Sequence, residues 1–180
     1  MNINLLIDGE TKAAASGRTF ERLDPVTGAV ASTSAAAGIE DANAAVASAA
    51  AAFESWSKTG PGERRALLMK AADIMDSKAG AFIAAMIAET GATGGWAGFN
   101  VMLAAGIIRE AAAMTTQIGG EIIPSNKPNT LAMGVYKPKG VCLGIAPWNA
   151  PVILGTRAVA MPVACGNTVV LKASELCPAV

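Results

Sequence analysis

The sequence predicts an α/β protein in which a helical layer precedes the beginning of an open parallel sheet. Three observations carry this. Apolar residues recur at helical spacing over most of residues 39–118; the chain turns extended and β-branched after Pro124; and a helical pattern at 151–163 lies between extended stretches at 140–145 and 168–172. That last arrangement is a strand–helix–strand unit, and one such unit begins a sheet without completing it.

Each element has a local reason. Short strands are expected at 3–7, 19–23 and 29–34, separated by the turn chemistry of Asp8-Gly9 and of Asp24-Pro25-Val26-Thr27-Gly28. A first helix follows at about 39–58, with Ala42, Val46, Ala49 and Phe53 as its apolar stripe and Asp41 early enough to favour the helix dipole. Pro61 opens a second helix, where a missing amide proton does least harm. Its stripe is Leu67, Leu68, Ala71, Ala72 and Met75, with Glu63, Arg64, Arg65, Lys70, Asp73 and Asp76 on the other face. Ala79-Gly80 is expected to break that helix, another helical piece runs to Glu89, and a long helix at about 95–118 stops at Gly119-Gly120. Strands are then expected at 130–137 and 140–145, on either side of Pro138-Lys139, and a third at 168–172.

Composition narrows the function. Of 180 residues 52% are hydrophobic, enough for a core, and 14 Lys and Arg against 14 Asp and Glu leave no net charge to attract nucleic acid. No uninterrupted apolar run approaches the roughly 20 residues of a membrane span. The amino terminus lacks a basic stretch followed by a long apolar one, so a cytoplasmic protein is expected. Cys142, Cys165 and Cys177 are odd in number, and there is no histidine; neither a disulfide framework nor a Cys/His metal site is expected, and a Ser-His-Asp or Cys-His unit is excluded within these residues.

The informative stretch is Gly144-Ile145-Ala146-Pro147-Trp148-Asn149-Ala150-Pro151, where two prolines bracket a turn between strand and helix. By residue type alone, Asn149 suits two roles equally: a cap for the helix beginning near Pro151, or a donor aimed by a rigid turn. Lys172, Ser174 and Glu175 stand at the carboxyl end of a strand, where open α/β sheets bind ligands, although a solvated loop with an exposed ion pair gives the same pattern. Trp96, Phe99, Asn100 and Leu103 share a helix face that ordinary core packing also explains.

Collinear with these, Asp24-Pro25-Val26-Thr27-Gly28, Glu63-Arg64-Arg65-Ala66-Leu67-Leu68, Glu89-Thr90-Gly91, Gly140–Ile145, Pro147-Trp148-Asn149 and Gly166–Glu175 resemble the NAD(P)-dependent aldehyde dehydrogenases over nearly the whole chain. Trp96–Val101, Arg109–Ala112 and Thr116–Pro124 resemble the branch acting on aromatic aldehydes, salicylaldehyde and vanillin dehydrogenases among them. The resemblance implies the amino-terminal part of that fold: strands and helical layer of the cofactor-binding domain over 1–129, oligomerisation strands over 130–141, and the start of a Rossmann-like NAD-binding sheet over 142–180. It implies that Asn149 donates to the substrate oxygen as a cysteine thiolate attacks the aldehyde. Ile145, Ala146, Pro147 and Trp148 would line the cofactor cleft, while Lys172 and Glu175, with Ser174 beside them, would meet the adenosine ribose. Ala173 departs from the family's usual proline; both polar groups remain. A glutamate beside the ribose favours NAD over a 2′-phosphate.

Phe99, Asn100 and Leu103 would border the substrate tunnel, and Arg157 would either steer a ring substituent there or serve as a surface or subunit-pairing arginine; Arg109 reads as structural. The family's cysteine nucleophile, glutamate base and glycine-rich loop match nothing here and are expected beyond Val180, so these residues alone are expected not to turn over. Homodimers or homotetramers are implied for the longer enzyme. The alternative is a short non-catalytic protein that keeps the strands at 130–141 for subunit pairing; the apolar Val169, Val170 and Leu171 argue against it, since a sheet adapted to end there would turn polar.

Overall fold

A computed structural model describes residues Met1–Val180. At the amino terminus β1 (Asn2–Ile3) runs parallel to β5 (Val30–Ala35), which pairs antiparallel with β4 (Thr19–Leu23). β2 (Leu5–Ile7) forms a separate hairpin with β3 (Glu10–Lys12) around Asp8-Gly9. The single strand expected at 3–7 is therefore two: Ile3 pairs with Ser34 while Leu5 pairs with Lys12, so the chain changes partners at Asn4. β3 carries no apolar alternation, being Glu-Thr-Lys and exposed throughout, which is why periodicity did not reveal it. In the next turn the Asp24 carboxylate accepts the amides of Val26 at 2.7 Å and Thr27 at 3.1 Å, which holds it below the usual carboxylate range.

Four helices form the layer. α1 (Ile39–Trp56) is started by Asp41, whose carboxylate accepts the amides of Gly38 at 2.8 Å and Ala15 at 2.9 Å. Its buried residues are Asp41 and Ala49; Ala42 and Val46, expected in the stripe, face solvent. α2 (Pro61–Ser77) buries Arg64, Leu68 and Ala72, a row spaced by four, while Leu67 and Ala71 are exposed. Arg64 thus belongs to the inner face: its Nε donates to Ala164 O at 3.0 Å and its guanidinium also reaches Thr59 O. α3 (Ala79–Thr90) ends at Gly91 with φ of 67°, where a Cβ would stand 3.0 Å from Pro25 Cγ, so this glycine serves both the cap and the approach of the Asp24 turn.

α4 (Gly94–Met114) lies at the centre. It is long and apolar enough to cross a membrane by length and composition, yet its alanines let neighbouring helices close on it: Ile108, Ala111 and Ala112 pack with Leu68 and Ala72 of α2. Arg109 bridges Asp73 at 2.8 Å and Asp76 at 2.7 Å, the structural role expected of it. The helix stops short of 118 because β6 (Gly120–Ile123) pairs antiparallel with β7 (Ala132–Val135). The segment at 130–141 accordingly divides: β7 belongs to this exposed hairpin, and Val141 starts β8 (Val141–Ile145) in another sheet.

β8 pairs in parallel with β9 (Thr168–Lys172), from Val141 beside Thr168 to Ile145 beside Lys172, and α5 (Pro151–Ala164) crosses between them. Its Ala160 and Ala164 join the α2–α4 core. Asn167 aligns the two strand starts, its Oδ1 accepting the amides of Lys139 at 2.6 Å and Gly140 at 3.0 Å. Gly144 lets α5 lie flat on the strands: a Cβ there would be 2.8 Å from Ala158 Cβ and 3.1 Å from Leu171 Cδ1. Gly144→Ala is expected to lower unfolding free energy by about 1–3 kcal/mol through overpacking, measured by urea denaturation. An unchanged midpoint would mean that α5 shifts freely.

Candidate functional site

The carboxyl ends of β8 and β9 carry the candidate site. One further hydrogen bond, from Ala146 N to Lys172 O at 3.0 Å, extends their pairing into the loop. Ala146 and Ala150 are buried, whereas Pro147, Trp148 and Asn149 between them are exposed. The loop is thus pinned at both ends and lifts Pro-Trp-Asn from the surface, with Pro151 starting α5.

The N-cap residue of α5 is Ala150, without a side-chain cap. The capping role is thereby removed from Asn149, and its carboxamide is left uncommitted. Its backbone is not free, because Trp96 Nε1 on the first turn of α4 donates to Asn149 O at 3.3 Å. Trp96 is set by Thr93, whose Oγ1 accepts the Trp96 amide at 3.3 Å, and it stacks on Phe99 with ring centroids 5.6 Å apart. A tryptophan 53 residues away therefore fixes the loop, a contact no sequence window reveals.

The other residues of this helix face separate. Phe99 is exposed beside Trp96 and Leu103 is half-buried. Asn100 is fully buried: its Nδ2 donates to Trp96 O at 3.1 Å, and its Oδ1 has no partner. Expected as a tunnel residue, Asn100 instead faces inward and secures the turn of helix that carries Trp96. Arg157 is exposed on α5 without an ion-pair partner, while Ile153, one turn earlier, is buried.

Lys172 Nζ lies 2.9 Å from Glu175 Oε2, both side chains well exposed. Glu175 is held below the usual carboxylate range by its own backbone amide first and by Lys172 second. Ser174, expected with them as a cofactor contact, points inward: it is buried, and its Oγ accepts the Leu176 amide at 3.2 Å. It shapes the turn. Ile145 is exposed at the strand end.

None of the three cysteines is exposed at this edge. Cys142 and Cys165 are half-buried, and burial pushes the Cys177 thiol up to about 11. The residues after β9 form turns. An apolar cavity of about 310 Å³ opens between α2, α5 and this turn, lined among others by Met75, Val159, Leu171 and Cys177; Asn149, Lys172 and Glu175 lie outside it.

A profile described as the aldehyde dehydrogenase family matches residues 12–180. A vanillin dehydrogenase from Pseudomonas sp. strain HR199 is 62% identical over 177 residues, 98% of this chain and 37% of its own length. The crystal structure of a salicylaldehyde dehydrogenase from Pseudomonas putida G7 complexed with salicylaldehyde superposes with a TM-score of 0.98 at 47% identity, covering 99% of this chain and 37% of that one. A NAD-dependent benzaldehyde dehydrogenase from Corynebacterium glutamicum superposes with a TM-score of 0.91 at 33% identity, covering 96% and 38%. The chain thus spans somewhat over a third of these proteins.

Because Lys172 and Glu175 are exposed and bonded chiefly to each other, Lys172→Met and Glu175→Gln are expected to leave the thermal midpoint unchanged by calorimetry. A clear fall in either would assign the pair to holding the loop rather than to binding.

Proposed function

The chain belongs to the aldehyde dehydrogenase family, and we propose that it supplies the oxyanion donor and the cofactor-ribose contacts of an enzyme that oxidises an aromatic aldehyde to the carboxylic acid with NAD. The observation that carries this is the state of Asn149: exposed carboxamide, no capping bond, and a backbone clamped by Trp96. A neutral donor aimed in advance stabilises charge that develops on a carbonyl oxygen at no cost in reorganisation.

The aromatic substrate class is supported by the stacked Trp96 and Phe99 beside that donor and by the likeness to vanillin and salicylaldehyde dehydrogenases. Arg157, exposed two turns beyond Asn149, would draw a phenolate or polar ring substituent towards the loop. Lys172 and Glu175 suit the ribose hydroxyls, the lysine as donor and the carboxylate as acceptor, at the edge where open sheets take nucleotides. A carboxylate kept ionised there repels a 2′-phosphate, which favours NAD over NADP. NAD supplies the hydride acceptor when bound. The β6–β7 hairpin, with Ile122, Leu131 and Tyr136 exposed, is the surface we assign to pairing of subunits in a homodimer or homotetramer.

The thiolate nucleophile and the base that activates water come, in this reading, from outside these residues, since Cys142 near the start of β8 and Cys165 just past the end of α5 stand at the opposite end of the strand pair from Asn149, and Cys177 is buried with its thiol pushed up to about 11. The 180-residue chain alone is therefore expected to leave aromatic aldehydes unoxidised in the presence of NAD. Turnover by it would overturn this division of labour. In the full-length enzyme, vanillin or salicylaldehyde should be oxidised faster with NAD than with NADP at equal subsaturating concentration. Asn149→Ala should lower kcat by a factor on the order of 10²–10³. An undiminished kcat would remove the oxyanion role, and faster turnover with NADP would remove the cofactor assignment.

A further inference from the structure

The Glu89-Thr90-Gly91 motif has no part in the site described, yet Glu89 is a fully buried carboxylate at the end of α3. Three separate parts of the chain meet on it. The Ser32 hydroxyl of β5 donates to Oε1, and the Ala179 amide donates to Oε1 at 3.2 Å and Oε2 at 3.0 Å. Arg22 Nε of β4 donates to the Glu89 carbonyl at 2.8 Å. An ionisable group removed from water is costly unless its oxygens are bonded, and here both are.

The segment that Glu89 grips continues directly from the ribose-contacting residues. Within it Leu176 N donates to Ser174 Oγ at 3.2 Å, Cys177 N to Ser174 O at 3.2 Å, and Val180 N to Cys177 O at 3.3 Å. These bonds fold the turn upon itself; apart from the Lys172–Glu175 pair with the adjoining end of β9, the hydrogen bonds that join residues 174–180 to other elements are those between Ala179 and Glu89. Glu175 is exposed between the buried Ser174 and the buried Cys177, so where the turn is held decides where Glu175 and its partner Lys172 stand.

We propose that Glu89 is a positioning residue for the cofactor: by pinning the turn after β9 to α3 and the amino-terminal sheet, it holds Lys172 and Glu175 in place for the ribose. This rests on the functional reading above for its cofactor half and on the observed bonds alone for its pinning half. Its own burial keeps Glu89 away from the ligand.

The test uses Glu89→Leu, which roughly keeps the size and removes both acceptor oxygens, and Ala179→Pro, which removes the donated amide while leaving Glu89 intact. In the 180-residue chain, Cys177 is the reporter, because it is 2% exposed beneath the turn. Its alkylation, followed by mass spectrometry, should quicken about tenfold in both variants, the effect of losing a hydrogen bond to a charged group, with Cys142 and Cys165 unchanged. In the full-length enzyme both variants should raise the KM for NAD by about the same factor while kcat at saturating NAD and the KM for the aldehyde hold. Turnover with nicotinamide mononucleotide, which lacks the adenosine, should be indifferent to them.

Unaltered Cys177 protection in both variants overturns the pinning. Faster alkylation with an unchanged KM for NAD, or an equal loss with nicotinamide mononucleotide, overturns the cofactor role and leaves Glu89 a structural carboxylate. An unmodified enzyme that oxidises no aldehyde with NAD refutes the functional reading itself, a result separate from either of these.

Discussion

Everything at the candidate site depends on the parallel register of β8 and β9, which sets Ile145 beside Lys172. That register delivers two loops to one edge, one carrying Asn149 and the other Lys172 and Glu175. Residues far from the edge maintain it. Asn167 ties the starts of the strands, Gly144 lets α5 pack closely enough to complete the crossover, and the Ala146 amide carries the pairing one step past the last strand residue. A one-residue slip would reverse the facing of every side chain on β9 and part the two loops.

The helical layer supports this edge by an unusual combination of small side chains and long polar reaches. Alanines along α4 and α5 permit close approach but offer little apolar area each. Specific hydrogen bonds supply what that area does not. Trp56 Nε1 donates to Val163 O at 3.1 Å, Arg64 to Ala164 O at 3.0 Å, and Thr168 Oγ1 to Ala49 O at 2.8 Å. All three fasten α1 and α2 to the junction of α5 with β9, where unpaired helix carbonyls would otherwise lie buried. The crossover is therefore locked at its distal end by the layer and at its proximal end by Trp96.

What the sequence made legible was local in origin. The strand–helix–strand unit, Pro61 and Pro151 as helix openers and the Asp24 turn all follow from residues within a turn or two of one another, and the structure has them. The exposed Lys172–Glu175 pair was legible for the same reason. Arg64 was misplaced because its burial is decided by partners far along the chain: charge suggested that it faces out, but the carbonyl at the end of α5 draws it in. The split of the first strand and the β6–β7 hairpin were hidden likewise, since pairing partners leave no mark in a short window. At the site, prolines on either side of Asn149 announced a rigid turn, whereas the indole that secures it and the carboxylate beneath the neighbouring turn lie on other helices.

The placement of Trp96 has an optical consequence. Of the three tryptophans in the chain, Trp96 and Trp148 flank Asn149, both part-exposed, and only Trp56 lies elsewhere, half-buried with its indole bonded to α5. The ultraviolet emission of this protein is thus concentrated at the loop that carries its candidate donor. An aromatic molecule settling there would quench or shift most of that light, giving the chain a built-in reporter of occupancy that needs neither a label nor turnover.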